Sequence, residues 1–175
     1  LQEWLDDGRF KPLVGEALIE TMIQIQSRTP YYCRVPRLIR DFPSPEITGG
    51  NKVTNLRQEI ERRMEERGIE LKDLRAREAG HRPPLDPSVE PKLFIETYEN
   101  AGGKELFLSF EDPDRTTVLA FLRLRLPDHD SVFGDEKTDR WLGEIRESFP
   151  ELIGSAFVRE LHTYGQALAL GEDKD

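Results

Sequence analysis

The sequence predicts a mixed α/β chain in which a helical part precedes a strand-rich part. Three observations carry that reading. Apolar residues recur at helical spacing before Glu70, four prolines interrupt the chain between His81 and Pro91, and period-two alternation dominates after Lys92. With 34% charged and 37% hydrophobic residues in a length of 175, the composition is that of a soluble globular protein, enough for one ordinary domain or two small ones.

Taken in order, Leu18, Met22 and Ile25 mark an amphipathic helix within Leu13–Gln26, entered after the Lys11-Pro12 breaker and ended by Pro30. Tyr31 to Val35 is aromatic and β-branched, which predicts a strand, followed by a Pro/Gly-rich loop from Phe42 to Lys52. Asn55 is placed as an N-cap with Gln58 in the capping-box position, and Leu56, Ile60 and Met64 form one apolar stripe of a charged helix ending before Gly68. Leu71 to Ala79 reads as a short strand, and His81 to Pro91 as a linker. Strands over Lys92–Glu99 and Lys104–Phe110 flank Asn100-Ala101-Gly102-Gly103, where glycine tolerates positive φ. A second turn, Glu111 to Asp114, leads to Val118–Leu126, with Val118, Ala120, Leu122, Leu124 and Leu126 on one face and Arg123 and Arg125 on the other. A charged helix around Asp139–Ser148 and a last strand near Ala156–Tyr164 complete an antiparallel, curved sheet.

Composition excludes more than it identifies. No apolar run approaches the ~20 residues needed to span a bilayer. There is no secretory leader, and the start at Leu1 rather than Met reads as a segment of something longer. One cysteine, Cys33, excludes an internal disulfide framework and points to a reducing compartment, with the cytoplasm expected. The formal charge of −9 is unevenly spread: residues 31–82 hold 12 basic and 9 acidic groups, while residues 83–175 hold 10 and 20. A polyanion would meet its favourable field in the middle, which is equally the composition of a solvated helix face rich in Arg–Glu pairs.

Candidate sites are sparse. His81, His129 and His162 lie far apart with no second ligand at i+3 or i+4, so a metal centre is not expected. Gly49-Gly50-Asn51-Lys52 reads either as an amide nest for an anion or as a turn into the next helix. His162 and Tyr164 share one face of the last strand. That strand is either an ordinary sheet edge or a place where free backbone groups pair with an extended, amide-bearing ligand.

Four ordered phrases go further: Arg40-Asp41-Phe42-Pro43, Asn55-Leu56-Arg57-Gln58, Ser109-Phe110-Glu111-Asp112-Pro113 and Arg159-Glu160-Leu161-His162-Thr163-Tyr164-Gly165. In order and spacing they resemble the catalytic subunit of Elongator, which modifies the wobble uridine of tRNA. Arg159 to Gln166 is similar to the phrase that enters that family's acyl-CoA site, Gly102 to Pro113 and Leu122 to Arg125 look like the opening strands of its acetyltransferase domain, and Arg37 to Arg57 resembles the end of its radical-SAM domain.

The resemblance implies the C-terminal elements of a radical-SAM partial barrel at about 1–70, a connecting segment at 71–90, and the first strands of a GNAT-type acyltransferase sheet at 91–175. It implies carboxymethylation of carbon 5 of the wobble uridine, with acetyl-CoA, SAM and a 4Fe-4S cluster as cofactors. Partners would be tRNA and other Elongator subunits or a second copy, with no membrane. Glu160, Leu161, His162 and Thr163 are the implied acyl-CoA contacts, made through backbone, and Arg34, Arg37, Arg40, Lys52 and Arg57 are the candidate tRNA phosphate contacts. An internal ion pair of Arg40 with Asp41 is the competing reading there. The cluster cysteines and SAM site are expected before Leu1, and the pyrophosphate loop and a C-terminal tyrosine beyond Asp175, so this piece alone is expected to be inactive. Many members carry Cys-Arg-Cys-Ile-Arg-Cys-Arg-Glu with a structural zinc. Here Leu71, Asp73 and Ala76 stand at the thiolate positions, and no zinc is expected. A non-catalytic RNA- or protein-binding module of the same architecture is the alternative.

Overall fold

The computed structural model describes residues 2–38, 47–52, 55–100, 102–128 and 136–165, and it divides into two compact units, Leu1–Ala76 and Arg77–Asp175. That division falls inside the segment expected to connect two parts. Among the described residues no helix is long and apolar enough to cross a membrane.

The first unit is built on α2 (Gly15–Arg28) and α3 (Leu56–Glu66), preceded by the short α1 (Gln2–Asp6). Leu56, Ile60 and Met64 of α3 are all 1% exposed or less, and they meet Ile23 of α2 with Leu18, Ile19, Met22, Leu38, Ile69 and Leu71 around them. The α3 stripe is as the spacing predicts. On α2, Leu18 and Met22 pack against this cluster as the spacing predicts, but Ile25 is 51% exposed, and Ile19, Ile23 and Gln26 complete the buried side. Two residues of helix turn through about 200°, so Ile23 and Ile25 cannot share a face. The α2–α3 surface is tied by Arg67 to Glu20 at 2.5 Å and by Arg63 to Glu16.

Three expectations for this unit are corrected. Asn55 makes no side-chain cap, so the capping box with Gln58 does not form, although the Glu59 amide does reach the Asn55 carbonyl at 3.2 Å. Tyr31 to Val35 is not a strand. Its backbone is satisfied by other partners: Cys33 N–H donates to Pro30 O, Leu74 N–H donates to Cys33 O, Val35 N–H donates to Asp73 Oδ1, and Val35 O accepts from the Arg57 guanidinium. With these half-buried backbone groups paired this way, no ladder is needed. Leu71 to Ala79 is likewise not a strand but α4 (Leu74–Arg77) followed by a single 3-10 turn at Ala79–His81. A lone parallel bridge from Glu78 to Val118 is the extended element that remains.

Among the described residues the second unit is a four-stranded antiparallel meander in the order β1 (Lys92–Asn100), β2 (Gly103–Glu111), β3 (Val118–Pro127) and β4 (Phe157–Thr163), with α5 (Glu136–Ser148) between β3 and β4 in the chain. Register pairs Leu106 with Leu124, Leu108 with Leu122 and Leu122 with Leu161, so the aliphatic residues line one face. The opposite face carries Glu105, Phe107, Ser109, Glu111, Phe121 and Arg123, all buried. It is this polar and aromatic face that is closed over by its own side chains. The aliphatic face leaves Leu93, Ile95, Phe110, Val158 and Leu161 at least half exposed.

Candidate functional site

The last strand, β4, pairs with β3 on one side and stands at the end of the described sheet, so among the described residues its other backbone edge is open to an extended ligand. Glu160, Leu161, His162 and Thr163 lie on it. Leu161, at 65% exposed, projects on the aliphatic face, and Glu160 and His162 on the polar one. The Arg123 Nε donates to Glu160 Oε2 at 2.6 Å, and His162 Nε2 is 3.1 Å from Glu160 Oε1. A guanidinium, a carboxylate and an imidazole thus form a line along two neighbouring strands. These residues fit the amide-bearing arm of an acyl-CoA, because an open strand edge supplies N–H and C=O groups in an extended repeat.

A bulge between Arg123 and Leu124 takes Arg159 out of the β3–β4 pairing. Its guanidinium makes a two-pronged contact with Glu105 across the sheet, with both hydrogen bonds at 2.7 Å. Glu105 is fully buried, also receives the Tyr98 hydroxyl, and has Arg123 at 3.8 Å. Burial pushes its carboxyl pKa up, but the hydrogen bonds from Arg159 and Tyr98 and the two positive charges outweigh that and hold it below the usual glutamate value. Burial and the Glu105 carboxylate together push the Tyr98 hydroxyl pKa up. Sequence reasoning missed this cluster, although a signal was present. Glu105, Phe107, Ser109 and Glu111 alternate on β2, a pattern in which charged residues take positions that a buried face would ordinarily fill with aliphatics.

Behind His162 the aromatic rings are layered. His162 stacks on Phe121 at 5.1 Å between centroids and 23° between planes, and Phe121 rests on Phe107 at 5.2 Å. Tyr164 lies 6.2 Å from His162 with the planes 18° apart, its N–H donates to Leu119 O at 2.7 Å, and its hydroxyl reaches Glu78 at 3.3 Å.

The candidate tRNA contacts are in the first unit. Arg34, Arg37 and Lys52 are exposed, and Arg40 lies outside the described residues. Arg57 is half-buried: its guanidinium hydrogen-bonds Val35 O, meets Glu61 at 3.0 Å and lies 3.6 Å from Asp73. Arg57 therefore holds the unit together whatever else it does. Of Leu71, Asp73 and Ala76, which stand where zinc thiolates would, only Asp73 carries a donor. That carboxylate is fully buried and engaged by Val35 N–H and Arg57. No group of three or more His, Cys, Asp or Glu able to hold a metal ion gathers among the described residues. With one thiol, Cys33, the described residues do not fit an iron–sulfur cluster either. In the Gly49–Lys52 turn, a Cβ on Gly49 would come 2.6 Å from a terminal methyl of the Leu5 side chain, so a larger residue there would make Leu5 shift.

Residues 1–66 match the Radical_SAM C-terminal domain family. Over 176 residues, covering 100% of this chain and 35% of the relative, the sequence is 35% identical to the tRNA uridine(34) acetyltransferase of Dehalococcoides mccartyi. It is 36% identical to Elongator complex protein 3 of Bos taurus, across 96% of this chain and 28% of the relative. A solved archaeal structure, Methanocaldococcus infernus Elp3 with an N-terminal deletion, superposes with a TM-score of 0.74 at 33% identity, covering 98% of this chain and 38% of that one. The chain spans about a third of the length of the curated relatives it matches.

Proposed function

Over nearly its whole length the chain belongs with the tRNA uridine(34) acetyltransferases and Elongator catalytic subunits, and from that premise we propose that it is part of an enzyme that uses acetyl-CoA and SAM to carboxymethylate carbon 5 of the wobble uridine of tRNA. The observation that carries the reading is one continuous match running through both units, together with the radical-SAM family match at residues 1–66. In this reading acetyl-CoA supplies the acyl unit, and SAM at a 4Fe-4S cluster, held by residues other than those described, supplies the radical. Glu160 to Thr163 hold the extended arm of the acyl-CoA through their backbone. The enzyme acts in the cytoplasm, with tRNA as substrate and other Elongator subunits or a second copy as protein partners.

Acetyl-CoA turnover by the full-length natural protein, measured with and without tRNA, tests this. Turnover is expected to rise when tRNA is added. Binding of tRNA without turnover in either condition would replace the enzyme by a non-catalytic RNA-binding module of the same architecture.

The phosphate footprint has its own measurement. Arg37 and Lys52 are exposed, so removing both charges leaves the first unit's core intact. In an Arg37→Ala, Lys52→Ala protein the slope of log affinity for tRNA against log salt should become shallower by about two, one for each phosphate that is no longer neutralised. An unchanged slope would remove these two residues from the footprint.

A further inference from the structure

We propose that His162 and Tyr164 form a stacking platform for an unpaired RNA base, placed beside the strand edge to which the acyl-CoA arm is assigned; this rests on the tRNA-modifying reading above. Neither ring is part of a closed core. The His162 side chain is 51% exposed, and Tyr164 is half-buried. Yet both are fixed from behind. Phe121, 2% exposed, contacts His162 at 5.1 Å and Tyr164 at 6.0 Å and is itself supported by the fully buried Phe107. The Arg123 guanidinium lies over the rings of Phe107 and Phe121, at 4.9 and 5.4 Å from their centroids. The polar tips are held as well, His162 by Glu160 and Tyr164 by Glu78. A ring that is immobilised before its ligand arrives loses little conformational entropy on binding, which is the condition under which stacking adds affinity.

The charges around the rings choose the ligand. Glu160 and Glu78 are the carboxylates at the two tips, and the basic groups beside them, Arg123 at Glu160 and His81 at Glu78, are already taken up by those carboxylates and offer a phosphate little. The flat uncharged ring of a nucleotide is therefore the part that approaches, while its phosphates lie elsewhere. A carboxylate accepts several hydrogen bonds, so Glu160, which already accepts from Arg123 and lies 3.1 Å from His162 Nε2, can still accept from a ring N–H. That favours a base whose exposed edge offers a donor. A base lifted from a single-stranded loop has a free π-face and an unpaired Watson–Crick edge, and single-stranded RNA is read in this way.

The test uses the full-length natural protein and an anticodon stem–loop carrying 2-aminopurine at the wobble position. Fluorescence should be quenched on binding. His162→Ala should weaken stem–loop binding about ten-fold with the salt slope unchanged, because the substitution removes a stack and leaves phosphate neutralisation as it was. His162→Phe should restore most of the affinity. An abasic nucleotide at the wobble position should cost the unmodified protein the same factor as His162→Ala, and the two effects should not add. Additive effects, or wild-type affinity in His162→Ala, would overturn the platform while leaving the function standing. Loss of acetyl-CoA binding with stem–loop binding intact would assign the rings to the adenine of the coenzyme and also overturn it. If the unmodified protein binds no tRNA at all, both this platform and the tRNA reading fall.

Discussion

Glu111→Ala should destabilise the second unit by about 3–5 kcal/mol, an effect large enough to populate the unfolded state at moderate temperature. Glu111 is fully buried and Arg77 is 2% exposed, and they meet at 2.7 Å. Arg115 reaches the same carboxylate at 3.1 Å, and Ser109 donates to it at 2.6 Å. Removing the carboxylate takes away a shared acceptor from two buried or half-buried guanidiniums and one hydroxyl, and it is the desolvated positive charge left behind that carries the cost. Arg115 is held here in a left-handed conformation, φ 59°, which a residue with a long side chain adopts only when its contacts compensate; the others are Glu96 at 2.6 Å and the face of Phe94 at 4.5 Å. Denaturant unfolding followed by circular dichroism checks the value. Combining Arg77→Met with Glu111→Leu should recover much of the stability, because the double change removes the buried charge pair instead of orphaning one half of it. A single variant as stable as the wild type would show that the pair is solvated in solution.

Gly103→Ala should cost about 3 kcal/mol or more, because conformational strain and overpacking add at this position. Gly103 sits at φ +150°, in the region L side chains rarely adopt, and a Cβ there would lie 2.3 Å from Leu126 O, 2.8 Å from Asp128 N and 2.9 Å from Pro127 Cα. All three are backbone atoms at or just beyond the end of the neighbouring strand, so no rotamer change relieves the clash. The same spot holds the hydrogen bond from Asp128 N–H to Gly102 O at 2.7 Å, which closes the end of β3 over the hairpin. By contrast Gly102, at φ +68°, lies where asparagine is tolerated, and Gly102→Asn should be close to neutral. Thermal unfolding of the two variants side by side gives the comparison; equal midpoints would mean that the strand end moves away freely.

Turn chemistry and periodicity made several elements legible. The glycine pair marks the β1–β2 hairpin, alternation marks β3, and the Leu56, Ile60, Met64 stripe marks the buried face of α3. The same reasoning misplaced Tyr31–Val35, which is aromatic and β-branched, and Leu71–Ala79, both of which it read as strands. Their backbone groups are instead satisfied by Asp73, Arg57 and each other, a pairing across about 40 residues that no local pattern reports. For the candidate site, the shared face of His162 and Tyr164 follows from period two alone. That Phe121 lies behind them follows from the β3–β4 register, and that Arg159 clasps Glu105 follows from a bulge.

Local pattern was enough for α2, α3, α5 and the four strands of the sheet, the turns between β1, β2 and β3, and a family resemblance carried by short phrases, because these depend on neighbours a few residues apart. Which sheet face is closed emerges only when the chain is folded. The apolar alternation of β3 suggests that Leu122 and Leu124 face a core, whereas the buried face is the one with Glu105, Glu111, Arg77 and Arg123. A charge is tolerated in such a place only when an opposite charge from a distant segment arrives within hydrogen-bonding distance, and that meeting is a property of the folded chain rather than of any stretch of its sequence.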